Sequence, residues 1–316
     1  MSVRRLFRSW RARIGFAILA IFILVAIAGP PFVNHVLQMP ADAIDYNALH
    51  QPPGGGHPLG TTNSGQDVLS QVLVGARSSV AVGVTSAVLA TVLAILVGVT
   101  GGFLGGRSDR VLTVLTNLFI TLPSFALILI VAGYVQGVTW VVVAFLIGIF
   151  EWPAGARYLR AQTLSLRNRD FAVAMRALGE TRSRLIFSEI LPHLTGIISA
   201  MFLRAMVAGV MAEAGLAFLG ISAETISWGT MIEDSRDQSA IRLGYWWWYL
   251  PPGLCLALIG TATALINFGI DELSNPRLQG KERALVRQFD KLRKKNFRKG
   301  QRDVAEPSSR QKVAAR

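Results

Sequence analysis

The chain has 316 residues, 52% of them apolar and only 16% charged, with a formal net charge of +13 and a mean hydropathy of +0.44. Soluble domains carry ~25% charged residues, so this composition cannot cover a water-exposed body and excludes an ordinary soluble enzyme. A single cysteine, Cys255, and four scattered histidines, His35, His50, His57 and His193, exclude an internal disulfide and a zinc site of the usual spacing.

The apolar residues fall in blocks, and a span needs ~20 of them. Six windows qualify: 14–33, 78–104, 111–133, 138–150 with its flanks, 194–221 and 250–270. The expected class is an all-α polytopic membrane protein with six transmembrane helices. Residues 4–13 and Ala26-Ile27-Ala28 also fit a cleavable secretory leader, but the apolar run continues to Val33. An uncleaved first helix keeps six spans and is the reading adopted.

Residues 34–77 are rich in Pro and Gly and read as a loop followed by a short helix that Asn63 or Ser64 would cap; His57 reads as a surface residue. The second window repeats small residues at Gly83, Ala87, Ala90, Ala94, Gly98, Gly102 and Gly106. Small side chains on one face let two helix backbones approach in lipid, so this face should pack on a neighbour. Pro123 interrupts the third window and predicts a bend. Asn117 and Thr121 share that helix, so Asn117 and Pro123 read either as part of a polar path or as the fittings of a plain kink. The fourth window reaches spanning length only by taking in Tyr134, Gln136, Trp140 and Trp152, residues expected at an interface.

The connection 152–193 is far longer than a turn requires. It reads as a helix capped by Asp170, a break at Gly179, a short second helix, and Pro192 before the next span. Phe171, Ala174 and Leu178, then Leu185, Ile186 and Ile190, would form the apolar faces, with Arg176, Glu180, Arg182 and Arg184 opposite. Arg204 and Glu213 lie in the fifth window, where a charge must be paired, protonated or wet. Nine positions apart, they face opposite ways on a helix; Arg204 is expected to snorkel toward the cytoplasmic side and Glu213 to face the protein interior. In segment 222–249, Trp228, Asp234 and Asp237 are candidates for contact with cargo or with a delivering protein. The run Tyr245 to Tyr249 reads as an interfacial aromatic belt.

Of the 32 Lys and Arg, 28 fall in 1–13, 107–110, 151–193 and 272–316. Positive residues resist translocation, so both termini are expected in the cytoplasm. The basic tail, Lys291 to Lys299 above all, reads as solvated or lipid-facing and not as a nucleic-acid site.

Several ordered motifs then coincide. Ala174-x-x-Ala177-Leu178-Gly179, followed after eleven residues by Leu191-Pro192, resembles the cytoplasmic EAA loop of membrane subunits of bacterial ATP-binding-cassette importers. His57-Pro-Leu-Gly60-Thr61, Gly65-x-Asp67, Gly75-Ala76-Arg77-Ser78, Asp109, Ala156-Arg157 with Arg160, Glu213-Ala214, Ser227-Trp228-Gly229, Pro252-Gly253 and Asn275-Pro276-Arg277 are similar to the C-type permease subunit of the oligopeptide, dipeptide and nickel branch. The chain departs from the family's pattern at Val173, where Glu is usual, and at Met175, Thr62, Gln66 and Asn117.

The resemblance implies a type I importer permease fold and the division 1–13 (cytoplasmic), 14–77 (first helix and outer loop), 78–271 (permease core with coupling loop 152–193 and outer loop 222–249) and 272–316 (cytoplasmic tail). It assigns coupling to Ala174, Arg176, Ala177, Leu178, Gly179, Glu180 and Thr181, and makes Asn117, Pro123 and Glu213 candidates for the translocation path. It implies a second permease as heterodimer partner, one or two nucleotide-binding subunits that carry ATP and Mg, an extracytoplasmic substrate-binding protein, and location in the bacterial cytoplasmic membrane. Gly280-Lys281-Glu282 lacks the rest of a phosphate-binding loop, so the chain is expected to bind no cofactor and to be no enzyme. Short peptides are the expected cargo; oligosaccharides and nickel chelates are the alternatives within the branch. A secondary transporter driven by an ion gradient is the competing class, though it would usually show repeats and more intramembrane charges.

Overall fold

The computed structural model describes residues 9–135, 137–223 and 226–274, with side chains to residue 269. Residues 1–8 and nearly all of the basic tail, including Asn275-Pro276-Arg277, lie outside the described residues. We number ten helices: α1 (Trp10–Leu37), α2 (Val68–Leu104), α3 (Gly106–Thr121), α4 (Ser124–Tyr134), α5 (Trp140–Arg167), α6 (Asp170–Ala177), α7 (Arg182–Phe218), α8 (Trp228–Asp237), α9 (Ala240–Leu243) and α10 (Trp246–Ser274). Among the described residues only two isolated β-bridges accompany them.

Five helices, α1, α2, α5, α7 and α10, are long and apolar enough to cross a membrane. The sixth expected span is the pair α3 and α4, bent by 79°. Leu122 is extended (φ −77°, ψ 137°), as a residue before proline prefers, and Pro123 opens α4 without an N–H to give. Pro123 therefore divides the span where sequence alone predicts a bend.

α2 is the central post. α5 and α7 pack along it, α1 packs on α2 and α10, and α8 lies across α7 and α10. The small-residue face explains the closeness of α2 and α5. A Cβ on Gly102 would lie 2.8 Å from the carbonyl oxygen of Arg160, and Ala90 and Ala94 are buried with Trp152 and Ala156. Gly106 is not part of that face: it opens α3 with positive φ and has nothing beside it.

Other boundaries also differ from expectation. The short helix before the second span is simply the first turns of α2, and Asp67 caps it, accepting from Ser70 N–H at 2.7 Å, in place of Asn63 or Ser64. His57 is not a free surface residue: its Nδ1 lies 2.9 Å from the other Asp67 oxygen. Of the expected aromatic belt, Trp247 and Trp248 are buried, and Trp247 donates to the Thr61 carbonyl at 3.1 Å; Trp246 is exposed.

The two ends of the bundle differ. One carries α8 and the folded segment 38–67. The other carries α6, the start of α1 (Ala12 beside Gly269), the end of α2 and the start of α7. Arg107, Arg110 and the basic residues of 157–184 therefore gather at the α6 end.

Candidate functional site

Three polar constructions stand out. The first is the hairpin from α6 into α7. Asp170 does not cap α6; Arg169 holds the extended cap position and Asp170 is the first helical residue, where its charge meets the helix's positive end. α6 ends in a Schellman arrangement: Gly179 N–H donates to Arg176 O (3.1 Å) and Glu180 N–H to Met175 O (3.2 Å). Gly179 has φ +80°, a conformation that costs other residues ~1–2 kcal/mol. Arg176 ties the hairpin to α5, its Nη2 donating to Arg167 O at 2.8 Å, and Arg184 meets Glu180 at 3.2 Å.

The second helix of the connection is not separate from the fifth span. α7 runs unbroken from Arg182 to Phe218, because a π turn over Leu185–Ile190 precedes Pro192 and absorbs its missing donor. The inward face of α6 is Phe171, Ala172 and Met175. Ala174, Ala177 and Leu178 point outward instead, with Val173 at 51% and Leu178 at 79% exposure. Thr181 is exposed beside them, so all seven residues of the expected coupling set lie on one projecting hairpin.

The second construction joins α3 to α5. Arg160 makes a bidentate bridge to Asp109 (2.5 and 2.8 Å), and Arg157 donates to Asn117 Oδ1 at 3.0 Å. Asn117 is thus tied to a neighbouring helix, while Pro123 sits exposed at the bend. The sequence holds both motif pieces, an acid at 109 and arginines at 157 and 160, but nothing in their spacing says that they meet.

The third is at the α8 end. Glu213 is buried, accepting from Ser227 Oγ at 2.6 Å and from Ser79 Oγ at 3.4 Å. Ser227 in turn forms a reciprocal cap with Thr230 at the start of α8. Trp228 is fully buried; its indole donates to Val72 O at 3.0 Å and its backbone N–H to Ser79 Oγ at 3.1 Å. Trp228 is therefore an anchor that seats α8 on α2 and offers no surface of its own. Asp234 and Asp237 are exposed on α8, and Arg236 binds Asp237, the Phe218 carbonyl and the Phe218 ring. Partial burial and the nearby Asp234 and Asp237 carboxylates push the Glu233 carboxyl above its ordinary range, against a hydrogen bond from Ser222 and the charge of Arg236. Among the described residues no group of His, Cys, Asp and Glu is placed to hold a metal.

Spans that pack around one post, one of them broken, with an exposed hairpin between the fifth helix and the seventh, define a membrane permease and not a self-contained soluble fold. Residues 90–280 match the family described as binding-protein-dependent transport system inner membrane component, and residues 1–53 match the N-terminal transmembrane domain of oligopeptide transport permease C. The chain is 35% identical over 279 residues to the oligopeptide transport system permease protein OppC of Mycobacterium tuberculosis (strain ATCC 25618 / H37Rv), covering 87% of this chain and 94% of that one. It is 31% identical to the Bacillus subtilis protein of the same name, over 85% and 86% of the two chains. It is 30% identical to a putative peptide permease protein of Brucella suis biovar 1, over 88% and 91%. The chain belongs to the binding-protein-dependent inner membrane component family of ATP-binding-cassette importers, as a multi-pass transport subunit and not an enzyme.

Proposed function

We propose that the chain is one of two different permease subunits of an ATP-driven importer of short peptides in the bacterial cytoplasmic membrane. The exposed apolar hairpin around Gly179 carries this reading. A projecting surface of Val173, Ala174, Ala177 and Leu178, fixed by the α6 Schellman turn, is suited to a groove on a partner and is costly if left in water. Ala174, Arg176, Ala177, Leu178, Gly179, Glu180 and Thr181 dock on one of one or two nucleotide-binding subunits, which hold ATP and Mg. Differential contacts with that subunit's two states then bias the permease between its own. The clustering of basic residues at the α6 end supports an orientation with that end and both termini in the cytoplasm. The α8 end then faces a substrate-binding protein outside, with Asp234 and Asp237 of α8 as candidate contacts. The peptide cargo rests on the relatives' names. Lipid covers the remaining apolar faces; no nucleic acid is involved.

Reconstitution with the second permease, the ATPases and the binding protein tests this. Peptide uptake should require ATP and the binding protein. Uptake driven by a proton or sodium gradient alone would establish the secondary-transporter class instead, and ATP-dependent uptake of only a sugar or a nickel chelate would replace the cargo.

A further inference from the structure

Arg204, expected from its place in the fifth window to be paired or wet, is exposed. It lines a cavity of about 520 Å³ between α2, α5, α7 and α10, together with Thr91, Glu151, Tyr158 and Asn267. The volume is in the range of small-ligand pockets, ~300–1,000 Å³. Arg204 stands roughly 21 Å from the α8 end of α7 at 1.5 Å per residue, well inside the span. Glu151 escapes notice in the sequence because it borders the connection that follows, whereas α5 carries it within its own continuous helix.

Two other acids of the bundle show the contrast. Asp109 is satisfied by Arg160, and Glu213 by Ser227 and Ser79. Among the described residues Glu151 and Arg204 make neither a side-chain hydrogen bond nor an ion pair within 4.0 Å, with each other or with anything else. An acid and a base of two spans that line one open cavity, Arg204 exposed and Glu151 half-buried, and that feel each other's charge without closing into a pair, are a functional-site candidate by default.

We infer that Glu151 and Arg204 are a transient cargo site for the two charged ends of a short peptide, resting on the importer reading above. Arg204 receives the carboxylate, where a guanidinium can donate in a bidentate fork, and Glu151 receives the ammonium. Asn267 and Thr91 supply donors and acceptors to the peptide backbone, and the apolar wall leaves side-chain identity largely unread. A neutral oligosaccharide can hydrogen-bond to both groups but neutralises neither charge. A polyanionic metal chelate gains Arg204 but is repelled by Glu151.

The test is direct binding of labelled trialanine to the purified permease–ATPase complex in nanodiscs, without the binding protein, in competition with N-acetylated and C-amidated trialanine. The wild type should bind free trialanine at least about tenfold more tightly than either blocked form. Glu151→Gln should weaken free trialanine by a similar factor and stop discriminating against the N-acetyl form. Arg204→Gln should do the same for the amide. Equal affinity for free and blocked peptides, no binding to the wild type, or Gln variants that bind and discriminate as the wild type does would each overturn the site. Trialanine uptake by the wild type with ATP and binding protein is measured alongside. Uptake without terminal discrimination removes the site and leaves the importer, whereas absence of uptake removes both.

Discussion

Glu213 shows how far the chemistry of one side chain constrains its surroundings. An acid in an apolar window has to face protein, and it does. Its partners are not legible in the sequence: Ser79 lies 134 positions away and Ser227 is 14 away across a turn. Ser227→Ala removes a donor to a buried carboxyl and the side-chain cap of α8 together, so the folded protein should lose about 2–3 kcal/mol, read as a lower midpoint of thermal unfolding in detergent. Glu233 gives a pH dependence with a definite sign. Because burial and Asp234 and Asp237 raise its pKa, ionisation carries a cost in the folded state. That cost is present at neutral pH and is relieved as pH falls through the raised value. Protection factors of α8 amides in hydrogen exchange should therefore rise as the pH is lowered from neutral, and Glu233→Gln should flatten the change.

Among the elements, hydropathy locates the five long apolar helices and the bent α3–α4 pair, since ~20 apolar residues have few other uses. Their ends are less legible. The start of α2 and the fusion of α7 through Pro192 depend on hydrogen bonds that composition does not encode: an Asp67 cap and a π turn. The face of α6 differs from expectation for a related reason. Periodicity identifies an apolar helix but not which apolar side is spent on the bundle, and Ala174 and Leu178 are on the side left exposed. Gly179 is legible because few residues accept its backbone. Gly179→Pro cannot adopt φ +80° and should abolish co-purification with the ATPase subunit while leaving the span bundle inserted; Gly179→Ala should weaken it only several-fold. ATPase capture unchanged by Gly179→Pro would remove the hairpin from the coupling role.

At the scale of the whole molecule, a lever is divided between two ends. α8 is pinned by Trp228 and Glu213 to α2 and α7, and the same two helices run on to the α6 end. In the coupling role proposed above, a push on the hairpin would reach the opposite end along α2 and α7, and carry α3, which Asp109 and Arg160 clamp to α5. All of this requires that the hairpin stand on the side where ATP is hydrolysed. The direct measurement replaces Cys255 with Ser, introduces Ala177→Cys, and applies a membrane-impermeant thiol reagent. Labelling should occur in inside-out vesicles, be blocked by added ATPase subunits, and be absent from intact cells. Labelling from outside intact cells would contradict the account.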